Sequence, residues 1–293
     1  MMLGAINDPE GAAVPEGLPE IVDCHVHVFP GGLFKAIWAW FDQFAWPIRY
    51  RLGSEDIIDF LLSRGVAHVA AFQYAHKAGI ADELNDYMAG LCRSYPGQVT
   101  GMATVFPGEP ETPVILKSAF EKGLKGVKLH AHVQCFDMNS PDMEDVYETC
   151  QAAGKPLVMH VSREPKSSAY LCDPHQLCSA DKLEAVLEAF PRLNICVPHL
   201  GIDEFFAYKG LIEKYDTLWL DTAMALADYF PVELPYNLDA LRWDRIMYGS
   251  DFPNIPYAWD RELKMIDSKN YSREFLGPFL GENARTFFGI GRK

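Results

Sequence analysis

The sequence predicts an α/β fold: a distorted (β/α)8 TIM barrel forming a single domain. Three observations point there. Short β-branched runs alternate with amphipathic helical stretches, eight such runs are spread through 293 residues, and no phosphate-cradling glycine loop follows the first of them. An open doubly wound sheet usually carries that loop. Here the first run leads into Phe29-Pro30-Gly31-Gly32 instead.

The strand pattern falls at residues 21–28, 66–73, 99–106, 126–132, 156–161, 194–199, 218–221 and 245–249. Helical periodicity fills 54–64, 80–95, 113–122, 142–153, 180–190 and 204–215, with Ser54 and Asp142 as start signals and Gly123 and Gly154 as stops. Strand–helix alternation implies parallel pairing through right-handed crossovers. No linker or change of composition divides residues 1–293. Residues 1–20 read as an N-terminal extension, and residues 33–50 as an aromatic insertion after strand one, with Trp38, Trp40, Phe41, Phe44 and Trp46. That insertion either covers the barrel mouth or meets another subunit, or else it is an ordinary buried helix. The tryptophans suit a homodimer.

Composition excludes several classes. A net charge of −14 without a basic stripe argues against nucleic acid. Seven cysteines in scattered positions match no disulfide framework and point to a reducing, cytoplasmic setting. The acidic first twenty residues do not resemble a signal peptide, and Lys35 and Asp42 interrupt the most apolar stretch, so no membrane span is expected. A small-molecule substrate is the remaining partner class.

The chemistry begins at Asp23-Cys24-His25-Val26-His27. In a regular strand His25 and His27 share one face with Asp23, and Val22, Cys24, Val26 and Val28 share the other. Two imidazoles on one rigid strand are half of a metal site. Barrel chemistry sits where strands end, so polar residues ending apolar runs are the candidates. Met159-His160, Pro198-His199 and Ser250-Asp251 meet that description. His27, His160, His199 and Asp251 then fall on strands one, five, six and eight, and strand eight neighbours strand one in a closed ring.

The set resembles the amidohydrolase superfamily, and within it the amidohydrolase-related branch, which holds aminocarboxymuconate semialdehyde decarboxylase, resorcylate-type decarboxylases and lactone hydrolases. Besides the segments above, Gly126-Val127-Lys128-Leu129-His130 and Gly281-Glu282-Asn283-Ala284-Arg285-Thr286-Phe287-Phe288-Gly289 carry the resemblance, which runs from residue 21 to residue 289. It implies a divalent metal held by His25, His27, His160 and Asp251, with His199 either a further ligand or a catalytic proton-transfer and substrate-polarising group. The chain departs from the branch after strand five. Val161-Ser162-Arg163-Glu164-Pro165 and an excursion to about Ser179 replace a short His-x-Gly.

Imidazoles with one carboxylate suit Zn²⁺ first, then Mn²⁺ or Fe²⁺. Metal-activated water would attack a carbonyl while Asp251 shuttles the proton. The activity expected is a metal-dependent hydrolase of a small amide, lactone or ester. The alternative is a non-oxidative decarboxylase of a small aromatic or dienoic carboxylic acid. Lys128, on the same strand face as His130, either binds an anionic substrate or, carboxylated, bridges two metals. His130 extends the substrate wall, and His132 reads as packing. Arg163 and Glu164 pair with a substrate carboxylate or with each other. Cys172-Asp173-Pro174-His175-Gln176-Leu177-Cys178 reads as a loop with incidental thiols.

Overall fold

Strand β1 (Ile21–His27) opens a run of parallel strands continued by β2 (Val66–Phe72), β3 (Val99–Gly101), β4 (Val127–His130), β5 (Leu157–His160), β6 (Ile195–Val197), β7 (Leu218–Asp221) and β8 (Ile246–Met247). The computed structural model describes residues 5–163, 168–229 and 237–291. Each predicted strand is present there, most of them shorter than its hydrophobic run. The ladders form two arcs, β1–β2–β3 and β4–β5–β6–β7–β8. Single bridges join the arcs at both seams, Ala103 to Val127 and Val26 to Phe252. This is the expected barrel, with its distortion concentrated at the seams.

Helices pack around the strands. They are α1 (Gly31–Phe44), α2 (Ser54–Ser63), α3 (Ala81–Ser94), α4 (Thr112–Glu121), the short α5 (Ala131–Gln134), α6 (Glu144–Ala153), the short α7 (Pro174–Leu177), α8 (Ala180–Ala189), α9 (Phe205–Lys214), α10 (Arg261–Ser268), α11 (Arg273–Gly277) and α12 (Asn283–Phe288). Gly154 ends α6 in the left-handed region at φ 59°, where its N–H reaches the Cys150 and Gln151 carbonyls. Ser54 does not cap α2. Gly53 holds that position, and the Ser54 hydroxyl donates to Phe29 O at 3.0 Å.

Two apolar clusters define inside and outside. Val22, Cys24, Ala70, Phe72, Met102, Val158, Cys196, Trp219 and Met247 come from strands all around the ring, so they fill its interior. Ala284, Phe287 and Phe288 of α12 join them and plug one end. Ile21, Val26, Val28 and most other strand residues belong to the larger layer between strands and helices. At the other end α1 lies across the loops. The Trp40 ring is 5.6 Å from that of Tyr170, and Trp46 Nε1 donates to Asn254 O at 2.8 Å. Among the described residues no helix is long and apolar enough to cross a membrane.

Candidate metal centre and active site

The sequence places Asp23, His25 and His27 on one face; the structure keeps the two histidines together and sets Asp23 apart. Pairing with β2 slips between Asp23, which faces Val69, and Val26, which faces Ala71: three steps on β1 match two on β2. This is a β-bulge. It turns Cys24 inward with the interior cluster and His25 inward against the Phe72 ring, at 4.9 Å. Alternation then resumes, with Val26 outward and His27 beside His25, their ring centres 5.1 Å apart. Asp23 is left on the other face and stabilises the bulge. Its carboxylate accepts from His25 N at 3.2 Å, Ser250 N at 3.0 Å and Ser250 Oγ at 2.5 Å.

Gly249 makes room for the bulge, since a Cβ there would lie 2.6 Å from His25 Cβ and 3.3 Å from Cys24 Sγ. Gly249→Ala is therefore expected to destabilise the fold by about 1–3 kcal/mol and to displace His25. Thermal denaturation and metal titration check both effects.

Burial pushes Asp23 up from 3.8 to about 7. A raised native pKa means that the protonated form favours folding. The contribution is complete below pH 4 and is lost as pH rises through about 7. Asp23→Asn keeps an oxygen for the His25 and Ser250 N–H groups and offers an N–H to Ser250 Oγ, without the charge. It is expected to raise stability at pH 8 by more than ~1 kcal/mol and to flatten the pH dependence. Wild-type stability that already stays level across that range contradicts this.

His25, His27 and Asp251 converge at the mouth, each offering a ligand atom within 4.8 Å of the others. His27 Nε2 is 2.9 Å and His25 Nε2 3.3 Å from Asp251 Oδ1. Burial works against ionisation of Asp251, but the His27 hydrogen bond overrides it and the pKa falls to about 2. His25 is pushed down to about 4, first by burial and then by the Lys128 ammonium, so its ring is neutral at pH 7. Its tautomer follows from its partners. Nδ1–H donates to Asp221 Oδ2 at 2.8 Å, which leaves the Nε2 lone pair facing the site. Lys128 Nζ meets that lone pair at 3.5 Å.

These features fit a divalent cation. The donors are neutral imidazole nitrogens and a carboxylate oxygen, a buried carboxylate orients one ring, and His27 Nδ1 is buried with no hydrogen-bond partner among the described residues. The Nε2 lone pair of His25 already faces a cationic group.

His160 stands in an adjoining trio. Its ligand atom gathers with those of His130 and His132 within 4.8 Å, and its ring stacks on His130 at 4.0 Å. His199 links the two groups. Its Nδ1–H donates to Ala223 O at 2.7 Å, so Nε2 accepts from His160 Nδ1–H at 3.1 Å, leaving Nε2 as the acceptor nitrogen of His160. The His199 N–H donates to Asp221 Oδ1 at 3.1 Å. His199 itself has φ 60° and is followed by Leu200 at 53° and Gly201 at 81°, a strained run of the kind found at functional turns. Burial and the neighbouring imidazoles hold His130 and His160 well below the ordinary histidine range.

Lys128 is fully buried, and burial lowers it to about 8 against the pull of Asp221 and Asp251. His132, read as packing, belongs to the trio. Arg163 lies 3.7 Å from Glu204 and is 40% exposed. Glu164 lies outside the described residues. Asp221 escaped the sequence reading, although it ends the apolar run Leu218-Trp219-Leu220 just as His160 ends its own.

A family model described as Amidohydrolase matches residues 22–290. A 2-amino-3-carboxymuconate-6-semialdehyde decarboxylase of Dictyostelium discoideum is 22% identical over 241 residues, which is 72% of this chain and 67% of that protein. The 5-carboxyvanillate decarboxylase of Novosphingobium aromaticivorans was solved with manganese and 4-hydroxy-3-methoxy-5-nitrobenzoic acid. It is 18% identical with a TM-score of 0.69, covering 99% of this chain and 100% of its own. A candidate 2-pyrone-4,6-dicarboxylic acid hydrolase from Pseudomonas putida is 18% identical with a TM-score of 0.65, covering 94% and 99%. At these identities the two solved structures speak for the fold.

Proposed function

This chain belongs to the amidohydrolase family, and from that premise we propose that it is a metal-dependent decarboxylase of a small, planar carboxylic acid. The observation that carries this reading is the balance of groups in the site. His130, His132, His160, His199 and Lys128 line it, while Asp221 and Asp251 are already engaged by His25 and His27. A surface rich in nitrogen groups with its carboxylates occupied suits an anionic substrate. The rings of Phe29 and Tyr74 beside His27, and of Tyr170 beside His132, suit a flat one.

His25, His27 and Asp251 would hold the metal, with His160 as the fourth ligand. The donor set favours Zn²⁺, and Mn²⁺ is the ion in one structural relative. The ion supplies Lewis acidity to the substrate's oxygens. Lys128, His130 and His132 bind and orient the carboxylate. His199, fixed through Ala223 and Asp221, turns its Nε2 lone pair to the site; a proton taken up there from solvent would pass to the carbon, which keeps the electron pair of the breaking C–C bond as CO2 leaves.

Hydrolysis is the second reading, and Asp251 favours it. An ionised carboxylate beside both imidazoles is placed to take a proton from water attacking a lactone, amide or ester. The 2-pyrone relative is in keeping with it.

The deciding experiment loads purified protein with Zn²⁺ or Mn²⁺. It measures CO2 release from hydroxybenzoates and dienoic acids alongside hydrolysis of lactones, amides and esters. CO2 release that a chelator abolishes and added metal restores is expected. Hydrolysis without CO2 release would establish the second reading, and protein that takes up no metal would exclude both.

A further inference from the structure

The geometry points to a reversible disulfide between Cys135 and Cys172 at the barrel mouth. The two thiols come from different loops. Cys135 ends α5 in the left-handed region at φ 53°, and Cys172 lies just before α7 in the segment after β5. Both reach one acceptor, the carbonyl oxygen of His132, at 3.6 Å from Cys135 Sγ and 3.5 Å from Cys172 Sγ.

Cys135 is exposed, Cys172 and Cys92 are half-buried, and Cys24, Cys150, Cys178 and Cys196 are buried. Cys92 belongs to α3, so Cys172 is the accessible thiol that shares the His132 carbonyl with Cys135. Cys178 is nearby but engaged elsewhere, with Pro174 O at 3.2 Å and His132 Nε2 at 3.5 Å.

Exchange with a small-molecule disulfide such as oxidised glutathione completes the chemistry. The Cys135 thiolate attacks one glutathione sulfur and expels a glutathione thiolate. The Cys172 sulfur then attacks the mixed disulfide at Cys135 and expels the second. Two protein S–H bonds become one S–S bond, and one oxidised glutathione becomes two reduced ones. Cys135 is the more exposed thiol, and burial pushes Cys172 up to about 12, so exchange begins at Cys135 and ring closure is the slow step. The bond would tether the segment carrying Tyr170, whose ring lies 5.4 Å from His132 and 5.6 Å from Trp40, to the histidine wall. This inference is independent of the reaction proposed above.

The test incubates the whole protein with oxidised glutathione, unfolds it, and blocks remaining thiols with iodoacetamide. Intact mass is expected to show two fewer blocked thiols than the seven of the reduced chain. A peptide linking residues 135 and 172 should appear, and dithiothreitol should reverse the change. Cys135→Ser and Cys172→Ser should each abolish the link, while Cys178→Ser retains it. Limited proteolysis between residues 168 and 178 should slow severalfold in oxidised wild type and stay unchanged in Cys135→Ser. Seven blocked thiols after oxidation, a link mapping to Cys172 and Cys178, or a glutathione adduct at Cys135 that never closes would each overturn the assignment.

Discussion

Asp251→Asn is expected to leave a folded protein whose turnover falls by about three orders of magnitude, the range associated with losing a positioned acid–base group. Asp251 sits at φ 63°, a conformation that asparagine tolerates nearly as well as aspartate, so the backbone should hold. The amide keeps the side chain's shape but removes the charge that lies 2.9 Å from His27 and 3.3 Å from His25. Bound metal should fall with activity. Circular dichroism, metal analysis and turnover on the same preparation separate the outcomes, and full activity in the variant would remove Asp251 from both chemistries.

Asp221→Asn should be nearly as damaging, though its oxygens face away from the substrate. Oδ1 accepts from the His199 and Ala223 N–H groups, both at 3.1 Å, and the amide oxygen can keep those bonds. The amide nitrogen then faces His25 Nδ1 and donates where the carboxylate accepted. His25 must move its proton to Nε2, the nitrogen offered to the metal. Metal affinity is expected to fall by about 10–100-fold, the usual effect of removing a carboxylate behind a ligating histidine. Competition with a chelating dye reads it directly. Affinity within twofold of wild type would mean that another group sets the tautomer.

Much of this was legible in the chain because barrels put polar residues where apolar strands stop. His160, His199 and Asp251 stand out that way, whereas Asp221 obeys the same rule but, as an aspartate after Leu218-Trp219-Leu220, also looks like an ordinary turn residue. Lys128 was singled out by strand position, but its approach to His25 depends on a contact between β4 and β1 that no local pattern encodes. The place of His132 beside His130 and His160 is not readable locally, because the helical turn after β4 brings it back toward them and short helices leave little periodicity. The pairing of Arg163 with Glu204 is likewise a long-range event.

The surplus residue in β1 also makes strand length a determinant of chemistry. Excising Cys24 would remove the shift between Asp23 and Val26, leaving the one between Ile21 and Val22, while His25 and His27 still pointed into the lumen. Excising Val26 would leave the two histidines as immediate neighbours, and neighbours in a strand face opposite ways. Two deletions of equal size, two positions apart, thus have opposite consequences: one spares the imidazole pair and the other splits it.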